Sequence, residues 1–157
     1  MTKSEQTNET QREVQNLKFD IGDAYLLVDL PGWSQLDGEP GVLHLMSQES
    51  ETVSIIIAGK PDSSLDEICP VMFGNIKKEY VSFILEQPVK SNVYKGLIRG
   101  YHGNVPELGG KVVFLYYCLQ SGSTFIKLDF MIAPSTYERK IDFYQMVSDR
   151  FKIAEKP

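Results

Sequence analysis

The sequence predicts an α+β domain in three layers, a mainly antiparallel sheet of about six strands sandwiched between helices. Four observations carry this. The run Val112–Leu119 (VVFLYYCL) holds no polar residue over eight positions, as a strand covered on both faces would. The run Phe125–Ile132 alternates, with Ile126, Leu128, Phe130 and Ile132 on one side and Lys127 and Asp129 on the other. Residues Gln120–Thr124, including Ser-Gly-Ser, join the two as a hairpin at the centre of the fold. Finally, two stretches combine a helix-start signature with apolar residues every three or four positions.

The chain has 157 residues, room for one domain, and its 42% hydrophobic content is enough for a core. In chain order, residues 1–16 offer only Val14 as an aliphatic residue after Met1, so a flexible polar tail is expected. A single domain is expected over 17–153, with 154–157 a short tail. Leu17–Ile21 and Tyr25–Leu30 read as strands around the Gly22-Asp23 turn, and Pro31-Gly32 ends the second. Trp33 follows as a core plug at the sheet end. Val42–Met46 and Thr52–Ala58 read as a hairpin, after a loop over Ser34–Gly41. The three isoleucines Ile55–Ile57 suggest cover on both faces there too.

Ser64-Leu65-Asp66-Glu67 matches a capping box, and Leu65, Ile68, Met72, Ile76, Tyr80 and Phe83 continue at helical spacing. Pro70 should kink this helix, leaving its main part over Val71–Leu85. A further extended segment begins over Pro88–Asn92 and continues as the strand Val93–Tyr101, with Gly103–Gly110 a loop. After Pro134, a second capping-box pattern at Ser135–Glu138 and the stripe Tyr137, Ile141, Tyr144, Val147, Phe151 predict a closing helix.

Two stretches resemble the PsbP/Mog-like superfamily over residues 19–153. One is the strand Tyr25–Leu30 running into Pro31-Gly32-Trp33; the other is the closing pattern from Tyr116 through Pro134 to Phe143, Val147, Ser148 and Phe151. The resemblance implies an antiparallel sheet between helices. It also implies binding to another protein without catalysis, as in photosystem extrinsic subunits, Ran-binding factors, DcrB-like lipoproteins and effector-associated chaperones.

No catalytic signature accompanies the fold. No G-x-S-x-G frames a nucleophile, and Gly109-Gly110-Lys111 lacks phosphate-loop spacing. No cofactor is implied. Cys69 and Cys118 are too few for a structural zinc site or a disulfide framework and are expected as separate buried thiols. Tyr101 and His102 mark an alternative pocket for a small ligand or a reaction between sheet and helix. The acids lack the ligand spacing of a calcium loop.

Charge carries the functional expectation. Residues 19–59 hold Asp20, Asp23, Asp29, Asp37, Glu39, Glu49 and Glu51 and no Lys or Arg, so the net charge of −5 leaves the rest of the chain at +2. This acidity argues against nucleic acid and for a protein partner with a basic or amphipathic segment. Asp20, Asp23, Asp29, Asp37 and Glu39 are its expected contacts, with Lys127 and Asp129 on an incompletely covered sheet face. No apolar run is long enough to span a membrane. The N-terminal residues lack the apolar core of a secretory signal, so a cytoplasmic protein is expected unless a signal has been removed. Oligomeric state is left open.

Overall fold

The computed structural model describes residues 17–59, 62–74 and 80–157. The tail expected over residues 1–16 lies outside them. Among the described residues, ten strands form two antiparallel sheets rather than one sheet of about six. The smaller comprises β1 (Leu17–Asp20), β2 (Ala24–Val28) and β10 (Phe151–Glu155), in the order β1-β2-β10. The larger comprises β3 (Ser34–Leu36), β4 (Leu43–Met46), β5 (Thr52–Gly59), β6 (Tyr80–Pro88), β7 (Lys95–Val105), β8 (Gly110–Ser121) and β9 (Thr124–Ile132). Its order is β3-β4-β5-β9-β8-β7-β6, which places the β8–β9 hairpin at the centre. The pairing runs two residue pairs further than expected, through Gln120 opposite Phe125 to Ser121 opposite Thr124, so only Gly122 and Ser123 form the loop.

Because side chains alternate across a strand, β8 serves two cores at once. Val113, Leu115, Tyr117 and Leu119 face the smaller sheet and pack with Leu26, Val28, Trp33, Tyr144 and Phe151. Val112, Phe114, Tyr116 and Cys118 face the other way, onto helix α1 (Leu65–Phe73) through Cys69 and Phe73. Full burial of such side chains stabilises by about 1.5–3 kcal/mol each, so β8 is the strand the fold can least lose. Trp33 is the expected plug, buried and edge-on to Phe130 at 6.1 Å between ring centroids. The layers are therefore helix, seven-stranded sheet and three-stranded sheet. The third layer also carries α2 (Pro134–Arg139) and α3 (Ile141–Met146). On β5 only Val53 and Ile55 are fully buried; Ser54, Ile56 and Ile57 are half-buried.

The helices are shorter than periodicity suggested. Ser64 caps α1 as expected, accepting from the Glu67 N–H at 3.3 Å, and α1 includes Pro70. The helix stops at Phe73, where Gly74 adopts φ 68° and ψ −166°, a positive-φ extended conformation that glycine enters without a Cβ clash. The Val71–Leu85 helix is thus corrected: residues 80–88 form strand β6 at the sheet edge, and Ile76 lies outside the described residues. Tyr, Val, Phe and Ile there suit a pleated surface better than a helix. Likewise, Pro88–Asn92 is extended only up to Pro88, and β7 runs on to Val105 where a loop was expected.

The closing helix is also corrected. Ala133, not Ser135, is the N-cap of α2, with Pro134 in its first turn and no side-chain cap. Two short helices and a 3-10 turn (Val147–Arg150) then lead into β10, whose Phe151–Glu155 pair with Val28–Ala24. Of the tail expected over 154–157, Ala154 and Glu155 belong to this strand, opposite Tyr25 and Ala24.

The cysteines are joined. Cys69 of α1 and Cys118 of β8 form a disulfide with Cα atoms 5.6 Å apart, correcting the expectation of two separate thiols. Both sites are fully buried.

Candidate functional site

The seven acids of residues 19–59 do not lack counter-charges, as the linear sequence suggested. Four of them meet cations contributed by residues 139–156. Glu51 is wholly buried at the β4–β5 turn, where its carboxylate accepts from Ser47 Oγ at 3.0 Å, from Lys140 Nζ at 2.6 Å and from the Tyr144 hydroxyl. Glu49 pairs with Lys140 at 2.6 Å and with Arg139, and these cations hold its carboxyl below the usual range, Lys140 most strongly. Burial pulls the Lys140 ammonium down, but Glu49 and Glu51 outweigh it and its pKa is raised. Burial and then the Glu51 hydrogen bond push the Tyr144 phenol far up, so it stays protonated and donates. This junction fastens α2 and α3 to the β4–β5 turn. Asp29 meets Arg150 at 3.4 Å beside the last 3-10 turn.

Asp20, Asp23, Asp37 and Glu39 come together elsewhere, around a cleft of about 700 Å³ between the two sheets. Its floor is apolar: buried Ile55, with half-buried Leu43 and Ile57 from the large sheet and Ile21 and Ile153 from the small one. Local turns set the rim. The Asp20 carboxylate accepts from the Gly22 N–H at 2.9 Å, and the Ile21 N–H donates to the Ala24 carbonyl at 3.0 Å, closing the β1–β2 turn. On the other side, the Val42 N–H donates to the Glu39 carbonyl at 3.1 Å. Gly38 lies against the His44 ring, where a Cβ would stand 2.2 Å from Cδ2. The ring is held in turn by a 2.9 Å hydrogen bond between Nδ1 and Ser54 Oγ. Glycine is therefore needed at residue 38 for the loop to fold back and present Asp37 and Glu39.

Asp20 is held below the usual carboxylate range, first by the hydrogen bond from Lys156 Nζ at 2.8 Å and then by the Gly22 N–H. Asp37 and Glu39 are exposed and form no ion pair among the described residues. The rim is thus negative and wet over an apolar floor. No group of three or more His, Cys, Asp or Glu among the described residues is placed to hold a metal ion.

The other expected contacts sit apart from the cleft. Lys127 and Asp129 pair at 3.1 Å on β9, on the opposite face of the sheet from Ile55 and Ile57. Burial raises the Asp129 pKa more than Lys127 lowers it, and its Oδ1 is buried without a hydrogen-bond partner among the described residues. Strand alternation also divides the alternative pocket. Tyr101 faces the α1 side, in ring contact with Phe83 at 5.6 Å and Tyr116 at 6.3 Å, while His102, the next residue, faces away. Neither lines the cleft.

Sequence reasoning missed the cleft floor and Lys156. The floor had a local signal in the even spacing of Leu43, Ile55 and Ile57 along strands; the Phe151–Ile153–Glu155 alternation was the signal for β10.

No protein-family model and no curated protein matches the sequence. Among solved structures, the chain is similar to the solution structure of cyanobacterial PsbP (CyanoP) from Synechocystis sp. PCC 6803. The TM-score is 0.60 at 17% sequence identity, covering 86% of this chain and 89% of that one. The two-sheet arrangement and its antiparallel order give this chain a PsbP-like fold.

Proposed function

We propose that the protein is a non-catalytic binding module whose cleft receives a basic, apolar-bearing segment of another protein. The observation that carries this is the convergence of four acids on the rim of a cleft with an isoleucine-rich floor. An apolar floor contributes affinity by removing side chains from water, and the acids steer and orient a cationic segment. The alternative, a small-ligand or catalytic pocket at Tyr101 and His102, is weakened by strand alternation, which sends the two side chains to opposite faces of the sheet.

The test is titration of the full chain with an eight-residue peptide alternating lysine with isoleucine. Asp37→Asn with Glu39→Gln should weaken binding severalfold, and more at low salt than at high, because exposed charges are screened. Equal affinity of that double variant and the parent chain at low salt would sink the reading.

The Cys69–Cys118 disulfide supports an oxidising compartment over the cytoplasm, since such bonds persist where thiols are not kept reduced. No helix among the described residues is long and apolar enough to cross a membrane.

A further inference from the structure

We propose that the mouth of this cleft carries a seat for a primary ammonium group, filled in the free chain by its own Lys156, which a lysine of the incoming segment displaces. The inference rests on the cleft reading and specifies its partner chemistry. Three unlike groups converge on the Lys156 ammonium: Asp20 Oδ1 at 2.8 Å, the Gly22 carbonyl at 2.5 Å and the Tyr25 ring, whose centroid lies 5.0 Å away. An ammonium has three N–H donors and no acceptor, so a carboxylate, a carbonyl and an aromatic face meet its needs from separate directions. A planar guanidinium, which favours two parallel bonds to one carboxylate, fits this arrangement less well, because Asp20 Oδ1 also accepts from the Gly22 N–H. Lys18 lies over the same ring at 4.0 Å but forms no hydrogen bond to Asp20 or Gly22.

Position ties the seat to the cleft. Asp20 lines the cleft, whereas Tyr25 alternates with the buried Ala24 and Leu26. Its ring and the Lys156 ammonium therefore lie on the outer face of the small sheet, and Asp20 is the group that seat and cleft share. The seat is also open. The Asp20 and Lys156 side chains are 65% and 30% exposed, and exposed ion pairs hold weakly enough to be exchanged. A bound segment that leaves the cleft over the β1–β2 turn brings its lysine to Asp20, where it competes with Lys156.

Calorimetric titration of the full chain with the lysine–isoleucine peptide tests this. Lys156→Ala should bind roughly two- to fivefold more tightly, the range open to displacing an exposed pair. Lys152→Ala, which removes the same charge from an exposed position on β10, should change affinity far less. Adding Asp20→Asn should abolish the gain, and an arginine–isoleucine peptide should show little of it. Equal gains from Lys156→Ala and Lys152→Ala would overturn the seat in favour of long-range charge alone. Binding that responds to Asp37→Asn/Glu39→Gln but not to Lys156→Ala would overturn the seat and leave the cleft reading standing. Absence of peptide binding by every variant would overturn both.

Discussion

Breaking the Cys69–Cys118 bond should cost this fold from about a quarter to about four-fifths of an ordinary domain's stability. The bond joins residues 49 apart in sequence, one on a nine-residue helix and one on the central strand. Closing a loop of that length in the unfolded chain corresponds, in the chain-entropy treatment, to about 4 kcal/mol at 25 °C. A typical domain is stable by about 5–15 kcal/mol. So short a helix has little stability of its own, and α1 otherwise rests on the packing of Cys69 and Phe73 against Phe114, Tyr116 and Phe125. Urea unfolding with and without a phosphine reductant isolates the effect, because every atom except the cross-link is retained. With an m-value of about 2 kcal/mol/M the midpoint should fall by about 2 M. Thermal unfolding should drop by about 8–16 °C. Peptide binding at the cleft should persist below the new midpoint, since the cleft lies on the other face of the sheet. A stability difference under about 1 kcal/mol would refute the argument. So would alkylation of two thiols in denatured, unreduced protein.

Two further outcomes follow from the buried charges. Glu51→Ala leaves the Tyr144 hydroxyl without its acceptor and removes a buried carboxylate partner of Lys140, so it should destabilise by about 3 kcal/mol in urea unfolding, in the range for breaking a buried pair. Asp129→Asn should instead raise stability at neutral pH. The Asp129 pKa lies above its ordinary value of 3.8 in the fold, so between 3.8 and the raised value the native state binds more protons than the unfolded state. Stability contributed by this group therefore falls as pH rises through that window, and the advantage of the asparagine should vanish below pH 3.8, as thermal unfolding at several pH values would reveal.

Legibility in the sequence followed the range of each interaction. The β8–β9 hairpin, the β4–β5 hairpin and the Ser64 cap depend on neighbours a few residues away, and each was readable; Trp33 was readable as a core plug from its large apolar ring just after a turn. The helix beyond Gly74 was misread because Tyr80 and Phe83 fit the three-and-four spacing by chance while belonging to an edge strand. β10 was misread because five residues after a helical stripe carry too little pattern to outweigh it; only pairing with β2 makes them a strand. The rim acids were readable as a charge imbalance. Their division between a buried junction and an open cleft was not.

Residue order alone therefore determined the antiparallel α+β class, the two-faced central strand and the excess of acid in the first half. Tertiary structure decided which acids are quenched and which remain available. Glu51 and Glu49 lie about ninety residues from the cations that bind them, and Asp20 lies 136 from Lys156. The disulfide likewise needed the fold, which brings Cys69 and Cys118 to a Cα separation of 5.6 Å. Pairing at such separations is set by how sheets stack, which local spacing does not encode. The same stacking leaves the cleft open between the two sheets, with the unpaired acids at its edge.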